Sequence, residues 1–315
     1  MADLPPLTTK DSRASISAVP MQDLEPSPVD EEEQPIYPTN PSDIPDSKLP
    51  PASHSTTNFL GLTTARTLHI LSAVQKYSIA PFGIYLSMHY TNTAIIPLLT
   101  KNVREADKFL LLTRPYYQSF PLEPLLIFLP VISHVASGVA LRIYRRRITA
   151  LRHGAETHTE RRKIKWPKLS LTSAAGYILY PMFVLHVLSN RIVPKKIDGS
   201  SASVGLRYFA HGISSHPWIG LSSHALLIAT ASYHFVSGAA KFLKLSKEYV
   251  TEGGEDGRVE RKRRGWAVNG LAALMAGVWI AGGLGVVGMS GRGVGWEANH
   301  WDQIFREVPL VGRLF

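Results

Sequence analysis

Long apolar blocks separated by polar stretches dominate the chain after about residue 59. Four blocks reach the length of about 20 residues that a helix needs to cross a bilayer core of ~30 Å, and they span 122–144, 171–193, 218–243 and 266–289. Trp218 and Trp266 stand at the start of two blocks, where a membrane interface favours aromatic side chains. The pattern predicts transmembrane helices, because a large soluble core rarely contains several unbroken apolar blocks of this length.

A further apolar stretch precedes these blocks and has less distinct ends. It runs from Phe59 to Leu99 and is interrupted by Arg66 and Lys76. We place a span at 77–97 and expect residues 59–75 to form a helical extension or interfacial segment. The predicted fold class is therefore all-α, a polytopic membrane helix bundle with about five transmembrane helices.

Two pairs of spans resemble each other, which predicts a two-fold internal repeat. The residues from His134 read HVASGVA and those from His234 read HFVSGAA, while His89 and His186 each precede a proline by eight positions. We assign 59–145 to the first membrane repeat and 169–243 to the second, joined by a basic loop at 146–168. The block at 266–289 has no counterpart in this scheme.

The fifth span carries small residues at every fourth position: Ala273, Gly277, Ala281 and Gly285. This spacing places them on one helix face, where small side chains allow backbones to approach closely. The stripe predicts close helix contact, either inside the bundle or with a second copy of the chain in a homo-oligomer.

Lysine and arginine are distributed unevenly between the spans. Residues 142–168 contain ten and residues 241–265 contain eight, whereas 98–121 contain four, 195–215 three and 290–315 three. Basic loops favour the side of the membrane that is not translocated, so both basic loops and the N-terminus are predicted to be cytosolic. The segment 290–315 is then on the opposite side, and Trp296, Trp301, Ile304 and Phe305 suggest that it is an interfacial helix.

Residues 1–58 differ from the rest of the chain in composition. They contain ten Asp or Glu against three Lys or Arg, with many Pro and Ser, which predicts a disordered tail. The tail contains a Pro-x-Pro motif at Pro26 and Pro28, flanked by Leu24 and Val29. Proline-rich segments lose little conformational entropy on docking, and Leu24 and Val29 could enter apolar pockets. The motif therefore predicts a partner-binding site.

Histidines inside the spans are the main candidates for a bound cofactor, because polar groups at membrane depth are costly. His134 and His234 could ligate a haem b iron from two helices, and His89 and His186 could form a second pair. The alternative is that these histidines only make hydrogen bonds between helices. The chain has no cysteine and therefore no thiolate metal site. No dinucleotide or phosphate-binding motif and no catalytic triad is evident, so neither catalysis nor nucleic-acid binding is expected.

The matched His-x-x-Ser-Gly-x-Ala motifs, the five spans, the acidic Pro-x-Pro tail and the lack of cysteine resemble the fungal mitochondrial adapter proteins of the MCP type. The resemblance implies an outer mitochondrial membrane protein with a role in lipid homeostasis. It also implies recruitment of a bridge-like lipid-transfer protein of the vacuolar-protein-sorting class, which promotes contact between mitochondria and the vacuole. Pro26 and Pro28 would be the docking residues, with Leu24 as the apolar anchor.

The spans are also similar to the cytochrome b subunits of succinate dehydrogenase. Those subunits carry His-x-x-x-Gly followed by Arg in a haem-ligating helix, and here His134 and Gly138 precede Arg142, while His234 and Gly238 precede Lys241. This similarity implies haem b as a cofactor and an electron-transfer subunit as the alternative function. The chain departs from that family in having both halves fused and in lacking a quinone-site Ser-x-x-His-Arg motif.

Overall fold

A computed structural model describes residues 61–155 and 157–315, and most of these residues are helical. Four of the helical segments have π-helical geometry: Thr91–Ile95, Pro124–Phe128, Leu188–Ile192 and Ile280–Gly288. The α-helices are α1 (Thr64–Tyr77), α2 (Ile79–Tyr90), α3 (Ile96–Thr100), α4 (Val103–Thr113), α5 (Pro115–Gln118), α6 (Leu129–Arg152), α7 (His158–Lys163), α8 (Leu171–Val187), α9 (Val193–Asp198), α10 (Leu206–Ser215), α11 (Pro217–Phe242), α12 (Gly254–Trp279) and α13 (Gly295–Arg306).

Four helical stretches in the described part of the chain are long and apolar enough to cross a membrane. They are Pro124–Arg152, Leu171–Asp198, Pro217–Tyr249 and Gly254–Gly288, and each overlaps one of the four apolar blocks. Large apolar side chains such as Ile132, Leu171 and Leu274 are exposed on their outer surfaces. In water such surfaces would oppose folding, whereas in lipid they are solvated. The predicted all-α membrane bundle is confirmed.

The first predicted span, 77–97, is helical but is not one of these four stretches. Helices α2 and α3 enclose a π-helical segment at Thr91–Ile95, so the backbone is helical from 79 to 100. This stretch includes polar residues such as His89 and Asn92. That it crosses the membrane stays a prediction.

The proposed repeat has a counterpart in the backbone geometry. The π-helical segment Leu188–Ile192 begins 97 positions after the π-helical segment Thr91–Ile95, and a short α-helix containing Pro97 or Pro194 follows each. A π-helical turn contains one more residue than an α-helical turn and is rare in proteins. Two such turns at the same offset as His89 and His186 are what a duplication would produce.

The fifth predicted span, formed by the end of α12 and the π-helical segment Ile280–Gly288, packs closely against the π-helical segment Thr91–Ile95. Gly282 approaches Ala94 so closely that a Cβ on Gly282 would lie 1.9 Å from the carbonyl oxygen of Ala94. The indole Nε1 of Trp279 donates to the hydroxyl of Thr93 at 3.1 Å, and the hydroxyl of Tyr90 donates to the carbonyl of Met275 at 3.2 Å. These bonds and the close approach fix the two helices against each other.

The small-residue stripe predicted to make this kind of contact faces outward. Ala273, Gly277, Ala281 and Gly285 are all exposed, whereas Gly282 and Gly283 are buried. The stripe therefore does not make the contact inside the bundle, and its contact with a second copy of the chain stays a prediction. Ala273 and Gly277 already face outward before the helix becomes π-helical at Ile280.

The C-terminal segment forms a small core with helices α9 and α10 at the end of the bundle opposite the basic loops. The rings of Tyr208 and Phe305 stack at 4.5 Å between centroids, and Trp301 and Ile304 are buried in the same cluster. Of the four residues that suggested an interfacial helix, only Trp296 is exposed. The other three stabilise the fold, because burying each large apolar side chain contributes about 1.5–3 kcal/mol.

Candidate functional site

A cavity of about 1060 Å³ lies between the membrane helices. Most of its wall is apolar, and the helices α1, α2, α6, α8 and α11 contribute most of it. His89, His134, His186 and His234, the four candidate cofactor ligands, all line this cavity. The sequence therefore identified side chains that the fold brings to one internal space.

His134 and His234 face each other across the cavity with matched hydrogen bonds. Nδ1 of His134 lies 2.9 Å from the carbonyl oxygen of Gln75, and Nδ1 of His234 lies 2.9 Å from that of Thr172. A carbonyl oxygen only accepts, so each Nδ1 carries the proton and each Nε2 presents a lone pair. The ring centroids are 6.1 Å apart, with 79° between the ring planes.

These bonds follow the proposed repeat. Thr172 stands 97 positions after Gln75, the same offset as between His186 and His89. In both halves the Ser three residues after the His also donates to its own helix, from Ser137 to the carbonyl of Ser133 and from Ser237 to that of Tyr233, at 2.6 Å each. The two halves hold their mid-membrane histidines by the same local arrangement.

Gly176 is a residue of this site that the sequence did not identify. A Cβ on Gly176 would lie 2.7 Å from Cε1 of His234, so only glycine allows the imidazole to lie directly against α8. In contrast, a Cβ on Gly238 would have no neighbour within 4 Å, which places open space beside His234 on its own helix. The spacing of His234 and Gly238 in the motif was the only signal in the sequence for open space beside the histidine, and it does not involve Gly176.

The second pair, His89 and His186, has a different environment. Its ring centroids are 6.0 Å apart, but His89 stacks on Tyr85 at 5.4 Å and also contacts Trp279. Nδ1 of His186 lies 3.4 Å from the amide nitrogen of Asn190, so neither ring has the carbonyl contact of the first pair. Its role as a second cofactor site stays a prediction.

Charged side chains stand at both ends of the cavity. At the end beside the basic loops the lining includes Lys76, Arg142 and Lys241, and Arg142 donates to the carbonyl of Pro167 at 2.6 Å. Cations at the rim of an apolar cavity are suited to an amphipathic ligand with an acidic group. In the sequence, these three residues are recognisable as single charges at the ends of the predicted spans.

At the opposite end, Arg191 pairs with Glu123 across 68 positions of sequence, with Nη2 2.7 Å from Oε2. Arg191 also donates to the hydroxyl of Ser201, and Arg114 donates to the carbonyl of the same serine at 3.0 Å. Burial lowers the pKa of Arg114 from its ordinary value. This partly buried ion pair connects the two proposed repeats, and both of its residues line this end of the cavity.

The predicted partner-binding residues Leu24, Pro26 and Pro28 lie outside the described residues. Their role therefore rests on the sequence alone. The first residues of the described part lead into α1, whose Gln75 meets His134 on α6. Since α1 and α6 are antiparallel, the start of α1 lies at the same end of the bundle as the basic run Arg145–Arg147.

Residues 181–292 match the family model described as "MDM10-complementing protein 1, transmembrane domain". This part of the chain is therefore similar to the transmembrane domain of that family. The matched region extends from the middle of α8 through the fifth helix and includes His186, His224 and His234. The family model therefore covers one histidine of each pair that lines the cavity.

A relative is similar along most of the chain. The "Mitochondrial adapter protein MCP1" of Saccharomyces cerevisiae (strain ATCC 204508 / S288c) is 27% identical over 263 residues, which cover 75% of this chain and 80% of the relative. No solved structure matches the chain. The resemblance to adapters of the MCP type is confirmed by the family model and this relative together.

Proposed function

We propose that this protein is a non-enzymatic adapter of the outer mitochondrial membrane whose cytosolic tail recruits a bridge-like lipid-transfer protein of the vacuolar-protein-sorting class. The carrying observation is the similarity to a mitochondrial adapter protein over three quarters of the chain, together with the matched transmembrane domain. Recruitment promotes contact between mitochondria and the vacuole and supports mitochondrial lipid homeostasis. The membrane bundle is the anchor, and Leu24, Pro26 and Pro28 form the docking motif.

The geometry of the bundle supports a tail on the same side as the basic loops. The start of α1 lies near Arg145–Arg147, and residues such as Arg147, Arg162 and Arg263 are exposed at this end. Exposed Lys and Arg attract anionic lipid by about 1 kcal/mol each. A recruited lipid-transfer protein with an acidic surface, or an apposed membrane, would be attracted to the same end.

The length of the tail suits a tether. A flexible chain of 58 residues has a root-mean-square end-to-end distance on the order of 40 Å. That distance lets the Pro-x-Pro motif search the space in front of the membrane while the bundle stays fixed. A partner held by the tail is thereby concentrated at the membrane surface.

The test replaces Pro26 and Pro28 by Ala in the full chain. Each proline pre-sets an extended backbone, and its loss raises the entropy cost of docking, so we expect co-localisation of the lipid-transfer protein with mitochondria to be lost. Resistance of the adapter to alkaline carbonate extraction should not change, since the bundle is untouched. The matched control replaces Pro50 and Pro51, in the same tail. Unchanged recruitment by the Pro26/Pro28 variant would refute the motif.

A further inference from the structure

His134 and His234 line the cavity with a ring separation that suits two ligands of a single metal centre. An imidazole nitrogen ligates a transition-metal ion at about 2 Å and lies roughly 1 Å from its own ring centre, so two axial imidazoles on one iron have ring centres about 6 Å apart. The rings of His134 and His234 are 6.1 Å apart. This separation fits a bis-histidine iron. The rings of His89 and His186 are 6.0 Å apart as well, so the choice between the pairs depends on their hydrogen bonds.

The protonation of the two rings also suits metal binding. Ligating histidines usually donate their other ring N–H to a carbonyl or carboxylate, which fixes the tautomer and the ring orientation. Both Nδ1 atoms donate to backbone carbonyls, of Gln75 and Thr172, at 2.9 Å. In each ring, Nε2 is therefore the nitrogen that can bind a metal ion.

The surroundings select haem over a bare metal ion. Two imidazoles alone give too few ligands for a protein-bound zinc or copper ion, whereas a porphyrin supplies the other four nitrogens. The wall of the 1060 Å³ cavity is mostly apolar, and the space beside Gly238 is open. Lys76, Arg142 and Lys241 line the same cavity at one end, where cations can pair with the two haem propionates.

We infer that His134 and His234 are the axial ligands of one haem b in the membrane bundle. Lys76, Arg142 and Lys241, which line the same cavity, would supply the cations that pair with its propionates. A haem held by these two histidines would supply the exchange of single electrons. Gly176 acts as a positioning residue, because it allows His234 to lie against α8. This inference does not depend on the recruitment of a lipid-transfer protein.

The test is an absorption spectrum of the full chain expressed with ample haem and purified in detergent. We expect a Soret band at about one haem per chain, sharp α and β bands on reduction, and a low-spin bis-imidazole electron paramagnetic resonance signal when oxidised. This measurement uses the unaltered protein, so its outcome does not depend on whether a variant folds. A monodisperse protein without a Soret band, or with a five-coordinate high-spin iron, would overturn the inference.

Variants then locate the site. His134→Gly and His234→Gly should lose the low-spin spectrum, and added imidazole should restore it, because the small ligand can fill the space that the side chain leaves. His69→Ala is the control on the exposed surface of α1. His224→Ala is the control within the cavity, because His224 also lines the cavity but is not one of the two proposed ligands. An equal loss in His224→Ala, or a retained spectrum in both glycine variants, would refute the ligand assignment.

Discussion

Replacing Gly282 by Ala should drive the π-helical segment Ile280–Gly288 away from the π-helical segment Thr91–Ile95. A Cβ at this position would lie 1.9 Å from the carbonyl oxygen of Ala94 and 2.8 Å from its carbonyl carbon. Ordinary non-bonded contact needs about 3.5 Å, so the backbones must separate by roughly 1.5 Å. Neither partner can rotate away, because the new methyl group is fixed to one helix and the obstructing atoms belong to the backbone of the other.

The magnitude follows from three effects. Overpacking of this kind costs about 1–3 kcal/mol. Separation would also stretch the hydrogen bonds from Trp279 to Thr93 and from Tyr90 to Met275, each of which contributes about 0.5–1.5 kcal/mol. The higher helix propensity of Ala returns at most about 1 kcal/mol. We expect Gly282→Ala to lower the free energy of unfolding by about 2–3 kcal/mol.

Thermal unfolding in detergent measures this effect, with Gly277→Ala as the matched control. Gly277 is on the same helix, is exposed, and a Cβ there would have no neighbour within 4 Å. At about 2–4 °C per kcal/mol for a domain of this size, Gly282→Ala should melt roughly 5–10 °C below the unaltered protein, and Gly277→Ala close to it. If both variants melted at the same temperature, the close helix approach would be refuted.

Two further predictions concern the ion pairs at the end of the bundle opposite the basic loops. Arg191→Ala leaves the Glu123 carboxylate partly buried without its partner and should destabilise the protein by about 3–5 kcal/mol in chemical unfolding. The control is Arg263→Ala, which removes an 82% exposed side chain and should change the stability by no more than about 0.5 kcal/mol. Equal effects of the two substitutions would contradict the role of the pair. Burial would raise the pKa of Asp302, but hydrogen bonds from His211 and a neighbouring arginine lower it overall, so its contribution is complete above the unfolded pKa of about 3.9 and is lost as the pH falls through the folded pKa. The difference in melting temperature between the unaltered protein and Asp302→Asn should therefore shrink below about pH 4, and a constant difference would argue against this linkage.

The sequence predicted those parts of the fold that depend on apolar length and on repeated motifs. Four apolar blocks became helices because twenty or so apolar residues leave few alternatives to a helix in lipid. His134 and His234 were recognised because the repeat gives them the same neighbours in both halves. Their meeting across one cavity followed from two helices occupying equivalent places in the bundle.

The parts that the sequence did not predict depend on contacts between distant segments. Glu123 and Arg191 form a pair over 68 positions, and no local pattern indicates that pairing. The contact face of the fifth span could not be chosen from the spacing of small residues, because Gly282, which lies outside the stripe, makes the close approach to Ala94. The carbonyls of Gln75 and Thr172 could not be identified either, since every residue carries a carbonyl.

Grafting residues 1–58 onto an unrelated outer-membrane anchor tests the central claim most directly. If the tail is the recruiting element, the graft should bring the lipid-transfer protein to mitochondria in cells that lack the full chain, and a graft with Pro26 and Pro28 replaced by Ala should not. A graft that inserts correctly but recruits nothing, or one that recruits equally well without the two prolines, would contradict the account.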